Sequence, residues 1–113
     1  NQQLVRKGQL QTPVTTFETV EECLSAMDES TNDLTVVLFF AHYCKKCHHA
    51  NIPYKRLAYS NPSIEFTRLE TSLMSSKQLK SLGVSRVPFL QIYRNGMCVA
   101  SFSAPWKLET QLK

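Results

Sequence analysis

Eight consecutive residues, Leu34-Thr35-Val36-Val37-Leu38-Phe39-Phe40-Ala41, are apolar or β-branched with no alternation. A strand with one wet face would alternate, so this run predicts a strand buried on both faces and central in its sheet. It is also the longest apolar run, far short of the roughly 20 residues of a membrane-spanning helix, so a soluble protein with no membrane partner is expected. Covering both faces of a strand takes layers above and below it. The 113 residues are enough for one such domain, 1–113, and a chain of this size buries roughly two-thirds of its unfolded surface without staples. Its four cysteines therefore need not be structural.

The remaining elements can be placed around that strand. Residues 1–11 are polar and aperiodic, a tail or a short edge element, and Asn1 in place of Met suggests a removed targeting segment or an excised domain. From Thr19 to Glu29, apolar Val20, Cys23, Leu24 and Met27 recur at helical spacing, with Thr19 and Glu22 placed as a capping box. After the central strand comes a helical stretch to about Tyr59, interrupted by Pro53 and closed by Asn61-Pro62. Ile64 to Leu69 reads as a second strand, and Ser75 to Leu82 as a short helix with Leu79 and Leu82 inward and Gly83 as its stop. Val84 to Pro88 returns the chain extended. Asn95-Gly96 between Phe89–Tyr93 and Cys98–Phe102 predicts an antiparallel hairpin. A last helix is expected over 104–113. Buried strands alternating with helices and ending in a hairpin imply an α/β fold, a mixed central sheet flanked by helices on both faces.

Cys44-Lys45-Lys46-Cys47 stands where the central strand hands over to a helix. Unpaired backbone N–H groups and the positive end of the helix dipole favour an anion at such a point, and Lys45, Lys46 and His48 add charge to tune the thiolate. Cys44 is the expected nucleophile. Cys47, one turn inside, is the expected resolving thiol, because two cysteines three apart on a helix can close a small disulfide. Other chemistries use the same residues. Cys44 to His48 spells the C-x-x-C-H attachment signature of haem, with Met74 or Met97 as the imagined axial partner, though the motif follows a buried strand and haem c domains are normally helical. Cys44, Cys47, His42, His48 and His49 include metal-ligand types, yet a second paired ligand set is missing, so no metal and no cofactor are expected. Inert thiols at a solvated helix start are the plain alternative. Cys23, on an apolar stripe, and Cys98, in a hairpin strand, lack the activating helix start and are both expected to alkylate slowly.

Charge is unevenly spread. Six of nine acids precede Leu34, whereas from Leu34 onward eleven basic residues face three acidic ones, a balance of +8. That segment favours acidic partners. Nucleic acid is not expected, because the basic residues are scattered and no aromatic and basic signature of an RNA-binding sheet is present.

The strand, the C-x-x-C, the proline-interrupted helix and Val87-Pro88 ahead of a hairpin together resemble the thioredoxin family, over most of the chain from about Phe17. Cys47 and Pro88 are 41 positions apart, a separation typical of that family. The resemblance implies that Pro88 follows a cis bond and lies against the disulfide, and that Val87 pairs with substrate backbone. It implies a thiol-disulfide oxidoreductase exchanging electrons with protein disulfides, supplied by an electron donor such as a reductase or glutathione. The Lys-containing centre and Ser101-Phe102-Ser103 look most like the atypical, Cys/His-rich thioredoxins of plastids, so a plastid location is the corresponding expectation. Several positions depart from the family. Tyr43 stands where the family has tryptophan beside the nucleophile, Leu38 replaces a buried aspartate that relays protons to the resolving cysteine, the helix proline comes one residue later, and Ala104 replaces a groove-lining glycine. Altered or slowed turnover follows, with a non-catalytic redox sensor or interaction module, or a Cys/His metal-binding protein, as the alternatives.

Overall fold

The computed structural model describes residues 13–103, so the expected tail over 1–11 and helix over 104–113 lie outside the described residues. Five strands and three α-helices run in the order β1 (Val14–Thr16), α1 (Val20–Asp28), β2 (Thr35–Phe40), α2 (Lys45–Ser60), β3 (Glu65–Glu70), α3 (Ser76–Leu82), β4 (Phe89–Arg94) and β5 (Met97–Ser103), with a 3₁₀ turn at Thr71–Leu73. The sheet order is β1-β3-β2-β4-β5. β1 and β2 lie parallel to β3, and β2–β4 and β4–β5 are antiparallel. This is the mixed α/β sheet that the alternation of elements implied.

All six residues of β2 are buried, because the strand is covered from both sides. Val37 and Phe39 join Phe17, Val20, Cys23 and Met27 in one cluster. On the opposite face Val36 and Leu38 pack with Tyr54, Leu57 and Ala58 of α2. Successive side chains of a strand point to opposite faces, so one unbroken apolar run feeds two cores.

Local chemistry accounts for the element ends. Thr19 and Glu22 form the capping box of α1, and Ser75 with Gln78 forms a second one on α3. Gly83 ends α3 in the left-handed region, φ +80°. Asn95 and Gly96 both have positive φ, 53° and 77°, the dihedrals that a two-residue hairpin turn of the favoured twist demands. A Cβ at Gly96 would also meet the Asp28 carbonyl oxygen at 3.1 Å.

Two expectations change. β1 was not expected as a strand at Val14–Thr16, since three residues with one of them buried carry no periodicity. Pairing with β3 makes it, and the ladder continues through the Phe17 N–H to the Arg68 carbonyl at 2.9 Å. The second is Pro53, which does not interrupt α2: the helix runs unbroken from Lys45 to Ser60. A proline forfeits one hydrogen bond, and Tyr54, Leu57 and Ala58, all buried directly after it, pin the second half to the sheet.

Candidate active site

The chain leaves β2 through buried Ala41 and exposed His42 and Tyr43 and enters α2 at Cys44, whose backbone is extended and which serves as the N-cap. The Cys44 N–H bonds to the Ala41 carbonyl at 3.1 Å, which tightens the approach. At an N-cap a side-chain acceptor takes one of the helix's unpaired N–H groups. Here that acceptor is sulfur: the Cys47 N–H donates to Cys44 Sγ at 3.1 Å. On its other side Cys44 Sγ approaches the Val87 carbonyl oxygen at 3.9 Å, and the Val87-Pro88 peptide is cis. Residues 43 positions apart are thus brought together.

The two thiols differ in environment. Cys44 is partly exposed, whereas Cys47 is buried against Ala41. Burial first, and the neighbouring Cys44 sulfur second, push the Cys47 thiol up to about 12, against a smaller opposing effect of the Ala41 backbone. At neutral pH Cys47 therefore holds its proton. Leu38 is 1% exposed and packed among Tyr54, Leu57 and Leu90, an apolar setting without a carboxylate.

Beside Cys47 a pocket of about 180 Å³ is lined by Phe40, His42, Cys47, His48, Asn51 and Arg68. Its polar groups are mostly engaged. The His48 ring Nε2 lies 2.9 Å from the His42 carbonyl oxygen, which only accepts, so that nitrogen donates. Arg68 donates Nε–H to the Thr16 hydroxyl at 2.7 Å and lays its guanidinium 4.8 Å from the centre of the Phe40 ring. Glu70, at the end of β3, is held below the usual carboxylate range, mainly by the Ser72 hydroxyl and also by the His42 N–H and ring.

Of the residues singled out from sequence, Cys44, Cys47, Val87 and Pro88 come together around the helix start, with Tyr43, 88% exposed, beside them. Lys45, Lys46, His48 and His49 lie exposed on the first turn of α2. Among the described residues no three His, Cys, Asp or Glu side chains gather to hold a metal ion. Met74 is buried in the cluster on the sheet face opposite α2, and Met97 is exposed at the hairpin. Cys23 is 0% exposed and burial raises its thiol to about 12, matching the inert reading. Cys98 does not match it. It is exposed on β5, its thiol turned to the Ala100 carbonyl at 3.3 Å.

Sequence reasoning missed Asn51, Arg68 and Gln91. Buried Gln91 donates to the Leu82 carbonyl at 2.6 Å and accepts from the Tyr93 hydroxyl at 2.8 Å, tying the end of α3, and with it the segment leading to Val87, to the sheet. A polar residue amid Phe89-Leu90 and Ile92-Tyr93 was its only signal.

A family model for thioredoxin matches residues 13–113. No curated protein matches this chain significantly. Among solved structures, thioredoxin from Trypanosoma brucei brucei superposes with a TM-score of 0.76 at 24% identity, covering 95% of each chain. Thioredoxin NaTrxh from Nicotiana alata gives 0.79 at 18% identity over 95% of this chain and 94% of its own. Spinach chloroplast thioredoxin f gives 0.73 at 22%, over 88% and 80%. Likeness at these identities is likeness of fold.

Proposed function

The chain belongs to the thioredoxin family, and on that premise we propose that it is a thiol-disulfide oxidoreductase working on protein disulfides through Cys44 and Cys47. One observation carries this reading: Cys44 Sγ sits at a helix start, accepting the Cys47 N–H at 3.1 Å and partly open to solvent. The Cys44 thiolate attacks one sulfur of a substrate disulfide, forming a mixed disulfide and releasing the first substrate thiol. Cys47 then attacks Cys44 Sγ, closing the Cys44–Cys47 disulfide and releasing the second. Two electrons have passed to the substrate, and a donor, a reductase or glutathione, restores the dithiol. Val87 and Pro88 are the proposed backbone contact for substrate, and exposed Tyr43 its side wall. Lys45, Lys46 and His48 favour acidic sequence around the target cysteine. Among the described residues no helix is long and apolar enough to cross a membrane, and the likeness to a spinach chloroplast thioredoxin supports a plastid as the compartment.

Insulin disulfide reduction with added dithiol tests the reading. Turnover should depend on Cys44, with Cys44→Ser inactive and Cys47→Ser trapping partners as mixed disulfides. A second reading, a redox sensor without efficient turnover, is favoured by buried Cys47 and by an apolar Leu38 where the family resemblance implies a carboxylate. A single stoichiometric oxidation of the dithiol with no turnover would select that one.

A further inference from the structure

The outward face of α2 carries charge that neither the fold nor the reactive thiol accounts for. The helix holds Lys45, Lys46, Lys55 and Arg56, all exposed, and no aspartate or glutamate among its 16 residues. None of these four side chains makes an ion pair or a hydrogen bond among the described residues. Solvated helix faces are commonly stabilised by opposite charges three or four positions apart, which this one lacks. Lys45 and Lys46 stand beside Cys44, but Lys55 and Arg56 lie about 16 to 18 Å further along the axis at 1.5 Å per residue. That is twice the roughly 8 Å over which salt screens a charge, too far to tune the sulfur. The same face is apolar along its middle. Successive helix residues turn by about 100°, so Lys45, Ile52 and Tyr59, seven apart, fall nearly on one line, with His49 and Arg56 on one flank and His48 and Lys55 on the other. This line lies opposite buried Cys47, Tyr54, Leu57 and Ala58, and both Ile52 and Tyr59 are exposed. The strip is about 21 Å long and begins at the turn that carries Cys44.

We propose that this strip docks an acidic amphipathic helix of the protein substrate beside the disulfide that Cys44 attacks. The proposal rests on the oxidoreductase reading and names the kind of partner that site takes. Spacing selects the element. Ile52 and Tyr59 are about 10.5 Å apart along the axis, the rise between same-face residues one heptad apart on a partner helix, whereas same-face residues of a strand recur at about 6.7 and 13 Å. Charge selects the sign, because acids flanking the partner's apolar line would meet Lys45 and Arg56 on one side and Lys55 on the other. An apolar centre within a polar rim is how protein interfaces are built. A phosphate backbone would leave the apolar pair unused, and a membrane would require no particular spacing.

The test uses two synthetic peptides. Each has a cysteine activated as a 2-thiopyridyl disulfide and joined by a Gly-Ser linker to a two-heptad amphipathic helix, with leucines seven apart flanked by glutamate in one and by lysine in the other. The Cys44 thiolate attacks the peptide sulfur, the Cys44–peptide disulfide forms, and 2-thiopyridone leaves and is read by absorbance. All proteins carry Cys98→Ser, which removes the other exposed thiol. The acidic peptide should react about tenfold faster than the basic one. Lys55→Glu with Arg56→Glu should slow the acidic peptide about tenfold and leave uncharged 2,2′-dipyridyl disulfide within about twofold. Lys77→Glu with Lys80→Glu, at exposed positions of α3, changes the net charge equally and should slow the acidic peptide less than about twofold. Ile52→Ser should slow it about threefold, a loss that persists at high salt, where the charge effect is screened. Should the reversed α2 pair fail to fold, Lys55→Gln with Arg56→Gln carries the same expectation at about threefold. Equal slowing by the α2 and α3 pairs would overturn the strip in favour of attraction by the whole molecule, and no slowing by the α2 pair would overturn it outright. Equal rates with both peptides, together with binding to phosphatidylserine vesicles or to a single-stranded oligonucleotide that the α2 pair abolishes, would overturn it in favour of that other surface. All of these outcomes leave the oxidoreductase reading standing. Absence of a Cys44-dependent release from 2,2′-dipyridyl disulfide would instead strike that reading, and the docking strip with it.

Discussion

Replacing Leu38 by aspartate sets two effects of the structure against each other. Leu38 is 1% exposed on β2, in register with Leu90 on one side and Arg68 on the other, and packs under Tyr54 and Leu57. Losing a buried leucine costs about 2–5 kcal/mol, and a carboxyl without a full set of hydrogen bonds adds about 1–3 kcal/mol. Arg68 is the one nearby cation in register, but it is partly exposed and already engaged with Thr16 and Phe40, so pairing should return about 1 kcal/mol at most. Leu38→Asp should then lose about 2–8 kcal/mol, a large part of the 5–15 kcal/mol typical of a domain. Desolvation outweighing Arg68 raises the carboxyl's pKa in the folded state. Between pH 4 and the raised value the unfolded chain has released a proton that the folded chain keeps, so the variant's stability falls as pH rises, by up to about 1.4 kcal/mol per unit. Urea unfolding of variant and wild type at pH 4 to 8 measures both numbers. A loss below about 1 kcal/mol, or a variant that gains on wild type as pH rises, would show that Arg68 pairing dominates and refute the reasoning. Where the carboxylate is ionised, mixed-disulfide decay should also accelerate, toward the roughly 10²–10⁴-fold a positioned base can supply.

Alkylation of the reduced, folded protein should modify Cys44 and exposed Cys98 first and Cys23 last, read by peptide mass spectrometry over time; rapid labelling of Cys23 would contradict its burial. Cys23, raised to about 12, keeps its proton above pH 9 while the unfolded thiol loses it, so stability should fall with pH there, and Cys23→Ala should flatten that slope by up to about 1.4 kcal/mol per unit between pH 9 and 10. A glutathione redox titration should place the dithiol above about −270 mV, because positive charge from Lys45 and Lys46 beside Cys44 favours the reduced state over the neutral disulfide. Reduction of an acidic protein substrate should slow as ionic strength rises, and a flat salt profile would argue against electrostatic steering by these lysines.

By itself the sequence determined what local chemistry decides. An apolar run without alternation specified β2 as central, Thr19 and Gly83 set helix ends, Asn95-Gly96 set the hairpin, and Cys44 fell at a helix start because a strand handed over to a helix there. Each depends on period, capping or turn dihedrals within a few residues. The tertiary structure alone decided the rest. β1 exists because β3 pairs with it, Cys98 is open although its strand belongs to the sheet, and Pro53 is absorbed because the residues after it are anchored. Likewise the Val87 carbonyl reaches Cys44 across 43 positions, and Arg68 and Asn51 meet beside Cys47 from a strand and a helix. Such proximities depend on register and on how a helix lies across a sheet, quantities summed over many weak contacts, which no short window of residues encodes.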